Sequence, residues 1–227
     1  MEDFAFPAPV VAIPAPPGKP LPVRRIFCVG QNYRDHAKEM GGNPAADAPF
    51  FFMKPASAIL LNGKIMPYPP GTSDLQHEAE LVVALKEGGR NIPVSEANGK
   101  IFGYAAGLDM TKRDVQSEAR KKGRPWEMSK SFDFSAPCSA IAPKSKTGVL
   151  SKGKIECRVN GQVRQSGDIG AMIWGVPEVI HYLSEQVELA PGDLIFTGTP
   201  AGVGPVVKGD RVEAIIEGLE PLLITIG

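Results

Sequence analysis

The sequence predicts a β-rich α+β fold, and three observations lead to it. The 227 residues include 25 glycines and 22 prolines, a density of turn formers that suits many short strands better than a helical bundle. Apolar residues fall in short runs bounded by turn residues. Cys157 to Gln165 reads as two alternating runs around Asn160-Gly161, a β-hairpin with a type I′ turn. A chain of this length can bury a sizeable core as one domain or two.

Residues 1–22 are proline-rich and read either as a disordered linker or as an extended arm along the domain edge, since Val10-Val11-Ala12-Ile13 is apolar. Residues 23–227 then carry the elements of the folded domain. Arg25–Val29 is a strand ended by Gly30-Gln31-Asn32, and Tyr33–Met40 has room for a helical turn before Gly41-Gly42-Asn43-Pro44 stops it. Phe50–Met53 and Ala58–Leu61 are strands, with Lys54-Pro55 as the break between them. Gln76–Leu85 reads as one strand between Thr72-Ser73-Asp74 and Gly88-Gly89. Ile101–Met110 is a buried strand ending in an acid, and Thr111-Lys112-Arg113-Asp114 has the form of a capping box that opens a helix to Lys122. Val176–Leu183 shows helical spacing with a proline near its start. Leu194–Phe196 opens into a glycine-rich loop, and Arg211–Ile216 and Pro221–Ile226 are closing strands.

Charge and composition exclude some classes. Lys+Arg and Asp+Glu are both 25, so there is no basic field for nucleic acid or an anionic membrane surface. No apolar run approaches the roughly 18 residues that span a bilayer. The acidic start Met1-Glu2-Asp3 lacks a basic n-region, and the three scattered cysteines are expected to be reduced thiols of a cytoplasmic protein.

The chemistry centres on Glu78 and Glu80. Two residues apart on a strand, they face the same way about 7 Å apart. Either they form a solvated strand end or a hard divalent cation offsets their repulsion. His36 and Glu39 are i and i+3, neighbours on a helical turn, where a carboxylate fixes the imidazole tautomer and strengthens the other nitrogen as a base. The bland alternative is a fortuitous surface pair. Asp109 lies where a strand meets a helix start, and Arg113 and Gln116 share the helix face nearest it. Lys130, between two serines, is either a buried amine or an exposed loop residue. The loop Thr197–Gly204 lacks the Gly-Lys-Ser/Thr ending of a P-loop, although its N–H groups and the Thr199 hydroxyl suit a carboxylate. His181 reads as structural.

Six separated motifs bring these pieces together: Cys28-Val29-Gly30-Gln31-Asn32-Tyr33, Asp35-His36, His77-Glu78-x-Glu80, Gly107-Leu108-Asp109-Met110-Thr111 with Arg113-Asp114-x-Gln116, Lys130-Ser131-Phe132, and Thr197-Gly198-Thr199-Pro200-x-Gly202-Val203-Gly204. In this order, from about Val23 to Gly227, the chain resembles the short, single-domain members of the fumarylacetoacetate hydrolase superfamily. Phe50-Phe51-Phe52-x-Lys54-Pro55-Ala56, Arg124-Pro125-Trp126 and Met172-Ile173-Trp174 make it most similar to the acylpyruvate and fumarylpyruvate hydrolases. The resemblance implies a mixed β-sandwich roll, a homodimer and one Mg²⁺ or Mn²⁺ per chain, with Ca²⁺ as a further candidate. It implies Glu78, Glu80 and Asp109 as metal ligands, His36 and Glu39 as the water-activating dyad, and Lys130 as a catalytic cation. Arg113, Gln116 and Thr199 fall on substrate-facing positions. The activity implied is hydrolysis of a carbon–carbon bond in a β-diketo acid, fumarylpyruvate above all. A decarboxylase or isomerase on the same fold, or a non-catalytic metal-binding dimer, are the alternatives.

Overall fold

In the computed structural model, residues 9–41 and 48–227 are described; the expected stop at Gly42-Asn43-Pro44 and the first eight residues of the proline-rich segment lie outside them. The strands of three or more residues are β1 (Arg25–Gly30), β2 (Phe50–Lys54), β3 (Ile59–Leu61), β4 (Leu75–His77), β5 (Ala79–Leu85), β6 (Ile101–Leu108), β7 (Ala136–Cys138), β8 (Lys154–Val159), β9 (Gln162–Asp168), β10 (Asp193–Phe196), β11 (Arg211–Ile216) and β12 (Leu222–Ile226). The α-helices are α1 (Arg34–Glu39), α2 (Val94–Lys100), α3 (Arg113–Lys121), α4 (Glu127–Lys130), α5 (Lys144–Thr147) and α6 (Val176–Gln186). The fold is the β-rich mixed roll that the sequence predicts.

The main sheet runs β2-β1-β10-β5-β6-β7-β3, with β1–β10 and β7–β3 parallel and the other pairs antiparallel. A second sheet runs β9-β8-β11-β12 and ends on the short strand Ile65–Met66. Successive residues of β5 serve two cores. Leu81, Val83 and Leu85 face the second sheet and α6, whereas Val82 and Ala84 pack with Ile26, Leu194 and Phe196. A strand covered on both faces has no polar side, which is why β5 reads as continuous apolar sequence. The second face is closed partly by Ile13, Ala15 and Leu21, from a segment in which Ala12–Ile13 pairs with Leu21–Pro22. The hairpin β8–β9 turns at Asn160-Gly161, both at positive φ as a type I′ turn requires.

Two expectations need correction. The strand expected over Gln76–Leu85 breaks at Glu78: β4 joins a small sheet with Thr111–Lys112 and Gly204–Pro205, while β5 enters the main one. The capping box at Thr111 does not form, because Thr111–Lys112 is extended and paired with Leu75–Gln76. The Thr111 hydroxyl donates to the Asp109 carbonyl at 3.1 Å, and α3 begins at Arg113. Asp114 instead accepts from the Thr72 hydroxyl at 2.5 Å and the Ser73 N–H at 2.9 Å, tying the start of α3 to the turn before β4.

Candidate active site

The break at Glu78 builds the site. Where the chain leaves one sheet for the other, the Glu78 carbonyl accepts the Asp109 N–H at 2.8 Å, which sets the ends of β5 and β6 side by side. Glu78, Glu80 and Asp109 are all buried, with one carboxylate oxygen from each within 4.8 Å of the others. Three buried acids so close require counter-charge. Lys130 Nζ supplies part of it, donating at 2.7 Å to both Glu78 Oε2 and Asp109 Oδ2. Arg113 clamps Glu78 Oε1 at 2.5 Å, and its other two nitrogens donate to Gln76 Oε1 at 2.9 Å and Gln116 Oε1 at 2.6 Å.

Lys54 is the further cation. It is the one buried residue of β2, its ammonium 2.8 Å from Asp109 Oδ1 and donating to the Met110 and Lys130 carbonyls. The approach to Oδ1 is an ion-pair contact outside hydrogen-bond geometry, so that oxygen lacks a hydrogen-bond donor. Three buried cations thus face three buried acids.

Proton affinities follow from this arrangement. Burial alone would raise Glu78, but Lys130 and Arg113 outweigh it and hold its carboxyl far below the usual range. Burial pushes Glu80 well above that range, with Asp109 and Glu78 adding to the effect; its one compensating donor is the Gly198 N–H at 2.8 Å. Gly198 can aim that N–H only from φ +97°, and a Cβ there would meet Asn32 Cβ at 2.7 Å. Burial disfavours the Lys130 ammonium, yet Asp109 and Glu78 more than restore it.

On α1, His36 Nδ1 lies 3.1 Å from Glu39 Oε2. An ionised carboxylate only accepts, so Nδ1 carries the proton and neutral His36 presents a bare Nε2. Glu39 is itself held by the Gly202 N–H at 3.2 Å. Asn32 anchors the approach to α1, donating to the Trp174 and Thr197 carbonyls and accepting the Trp174 N–H. The glycine-rich loop therefore uses two of its N–H groups on protein carboxylates, Glu80 and Glu39.

One cavity is lined by His36, Glu78, Glu80, Asp109, Arg113, Gln116, Lys130 and Thr199, and Glu39 reaches it through His36. All the candidates read from the sequence therefore converge on it. The exposed-loop alternative for Lys130 is replaced by a buried ammonium at the end of α4. Sequence reasoning missed Lys54, read only as a strand break; a lysine closing an aromatic run was the available signal. It also missed Gln165 on β9, whose amide donates to Thr199 Oγ1 and the Pro200 carbonyl, both at 2.7 Å, and whose oxygen accepts the Ala79 N–H at 3.0 Å. The Thr199 hydroxyl proton goes to the Ala79 carbonyl at 2.8 Å, so this side chain braces the loop. His77 points away from the acids to Gln165 at 3.1 Å, its pKa lowered by burial. His181, on α6, lies with Nδ1 2.8 Å from the Ile92 carbonyl, away from the cavity.

The donor set fits a divalent cation: three buried carboxylates, all oxygen, with an Asp109 oxygen lacking a donor. The cavity leaves room beside the acids for an ion and its water, and it opens to solvent past His36 and Gln116. The mouth is framed by Gln31, Met40, Phe52, Arg120 and Trp126.

A mixed β-roll with an acidic triad at a strand break defines a class. Residues 25–226 match the family model described as fumarylacetoacetate (FAA) hydrolase C-terminal, and the chain belongs to that family. Its similarity extends to a fumarylpyruvate hydrolase from Pseudomonas aeruginosa, solved in complex with Mn²⁺ and pyruvate, at 44% identity and TM-score 0.96 over 99% of both chains. The human mitochondrial oxaloacetate tautomerase FAHD1 is 44% identical over 86% of this chain and 88% of the relative. A mitochondrial oxaloacetate decarboxylase from Dictyostelium discoideum is 44% identical over 87% of this chain and 90% of its own.

Proposed function

We propose that the protein is a divalent-metal-dependent hydrolase that cleaves a carbon–carbon bond in an acylpyruvate, with fumarylpyruvate as the favoured substrate and fumarate and pyruvate as products. The observation that carries the reading is His36: a base oriented through Nδ1, with Nε2 unpartnered among the described residues, on the cavity that holds the acid triad. Glu78, Glu80 and Asp109 would hold Mg²⁺ or Mn²⁺, with Ca²⁺ a further candidate for the same all-oxygen donor set. Bound there, a divalent ion supplies Lewis acidity toward the 2-keto oxygen and the enolate that leaves.

The protein's own residues supply the rest. His36 Nε2 accepts a proton from water as the oxygen adds to the distal carbonyl, and Glu39 steadies the imidazolium that results. The Gln116 amide, whose oxygen is held by Arg113, turns its N–H groups to the developing oxyanion, with Lys130 adding charge. The bond between that carbonyl carbon and the methylene then breaks, and the His36 proton returns to the enolate carbon to give pyruvate. Because three buried cations already face the acid triad, a divalent cation leaves the site net positive, which suits an anionic substrate. Incubation of the Mg²⁺-loaded protein with fumarylpyruvate, with both products quantified, tests this; no turnover would overturn it.

The oxaloacetate relatives favour a second reading, tautomerisation or decarboxylation of oxaloacetate. Decarboxylation needs an electron sink and no activated water, so the two readings differ in what they require of His36. A homodimer is proposed from the family resemblance.

A further inference from the structure

We infer that Arg120 reads a second, distal anionic group on the substrate, so that the site selects extended dicarboxylates over monoanionic keto acids. The inference rests on the proposed hydrolase reading, which places the reacting end of the substrate at Glu78, Glu80 and Asp109.

Donor accounting isolates Arg120. Besides His36, three cationic side chains line the cavity: Arg113, Lys130 and Arg120. Arg113 has an acceptor on each of its three nitrogens, Glu78 among them. Lys130 is bound between Glu78 and Asp109. Arg120 has no carboxylate partner among the described residues; a single Nη1 contact to the Met40 carbonyl, at 2.6 Å, fixes its position. That leaves most of a planar, five-donor fork presented at the mouth.

Its position on α3 gives the spacing. Arg113, Gln116 and Arg120 are i, i+3 and i+7 and form one stripe along the cavity. At 1.5 Å per residue, Arg120 lies about 10 Å from Arg113 along the axis. The stripe thus passes from a guanidinium committed to Glu78, through an amide with only its oxygen engaged, to a guanidinium with no carboxylate partner among the described residues. On the same cavity, Phe52 and Trp126, with ring centroids 6.0 Å apart, give an apolar surface for the uncharged middle of a substrate. A keto acid with one carboxylate meets no partner for Arg120; an extended dioic acid offers its second carboxylate to the fork.

The test measures selectivity, which cancels any effect of the Met40 contact on the site as a whole. The ratio of kcat/KM for fumarylpyruvate to that for acetylpyruvate is measured on the Mn²⁺-loaded parent, Arg120→Gln and Arg120→Lys. The ratio is expected to fall about 10- to 100-fold in Arg120→Gln, as for loss of a charged hydrogen bond, and to recover in part in Arg120→Lys. A ratio unchanged by Arg120→Gln would overturn the inference. A binding arm needs no turnover: fumarate should protect the Mn²⁺-loaded parent against heat more than the monoanion crotonate, and Arg120→Gln should lose that difference. If the parent cleaves neither keto acid, the hydrolase reading fails while the binding arm still decides Arg120. Equal protection by fumarate and crotonate in the parent would overturn it there.

Discussion

His36 is the residue at which hydrolysis and decarboxylation part. Removing a positioned general base costs typically about 10²–10⁴ in rate. His36→Ala should therefore lose hydrolysis by that factor while calorimetric Mg²⁺ affinity stays within a few-fold, because His36 contributes no carboxylate to the triad. Glu39→Gln should lose less, since it removes the orienter and leaves the base. Full hydrolysis by His36→Ala would take the dyad out of the mechanism. Glu80 makes a second prediction at this scale. Burial beside Asp109 and Glu78 raises its pKa in the folded, metal-free protein, so Glu80 keeps a proton there that the unfolded chain has already lost. Its favourable contribution to folding is present below the unfolded value and fades as pH rises through the folded one. A divalent ion must displace that proton, so loading should release protons and apparent affinity should climb with pH. Calorimetry in two buffers of different ionisation enthalpy measures the release; identical observed heats in the two buffers would mean that no proton is displaced and would contradict the Glu80 assignment.

At the scale of elements, the hairpin β8–β9 supports the site from outside it. Gln165 is fully buried, and its amide joins β9 to His77, Ala79, Thr199 and the Pro200 carbonyl. Gln165→Leu strands several of those groups, each costing about 1–3 kcal/mol, so a loss of about 2–4 kcal/mol is expected after relaxation. Urea unfolding should show a lower midpoint at an unchanged slope; a change below about 1 kcal/mol would mean that the loop is braced elsewhere. The elements themselves were largely legible. Leu81–Leu85, Ile101–Leu108, the Asn160-Gly161 hairpin and α6 carry their pattern in adjacent residues, where local propensity and tertiary packing agree. The capping box at Thr111 misled because pairing with Gln76, distant in sequence, outweighed a local cap. Within the site, local spacing paired Glu78 with Glu80 and His36 with Glu39, and the order of the six motifs, through the family resemblance, gave the pairs their roles. Lys54 and Gln165 were not legible: each acts on residues tens of positions away, and a buried lysine looks like any other until Asp109 is placed beside it.

At the scale of the whole molecule, the main sheet carries a core on each face, and no helix among the described residues is long and apolar enough to cross a membrane. The triad is assembled only by the fold, so a metal that binds it should add to stability. At a free concentration a hundredfold above its dissociation constant, Mg²⁺ should stabilise the fold by about 2.7 kcal/mol and raise Tm, with EDTA reversing the shift. An unchanged Tm under saturating metal would argue that the triad holds none. Sedimentation at micromolar concentration should find a dimer, and a monomer would refute that part of the proposal. The central claim is that this site hydrolyses a carbon–carbon bond, and the most direct measurement is a product balance. Fumarylpyruvate and oxaloacetate are each incubated with the Mg²⁺-loaded parent, and fumarate, pyruvate and carbon dioxide are quantified over time. The account predicts fumarate and pyruvate in equal amounts from fumarylpyruvate, abolished by EDTA and reduced at least a hundredfold in His36→Ala. Intact fumarylpyruvate alongside rapid conversion of oxaloacetate would contradict it.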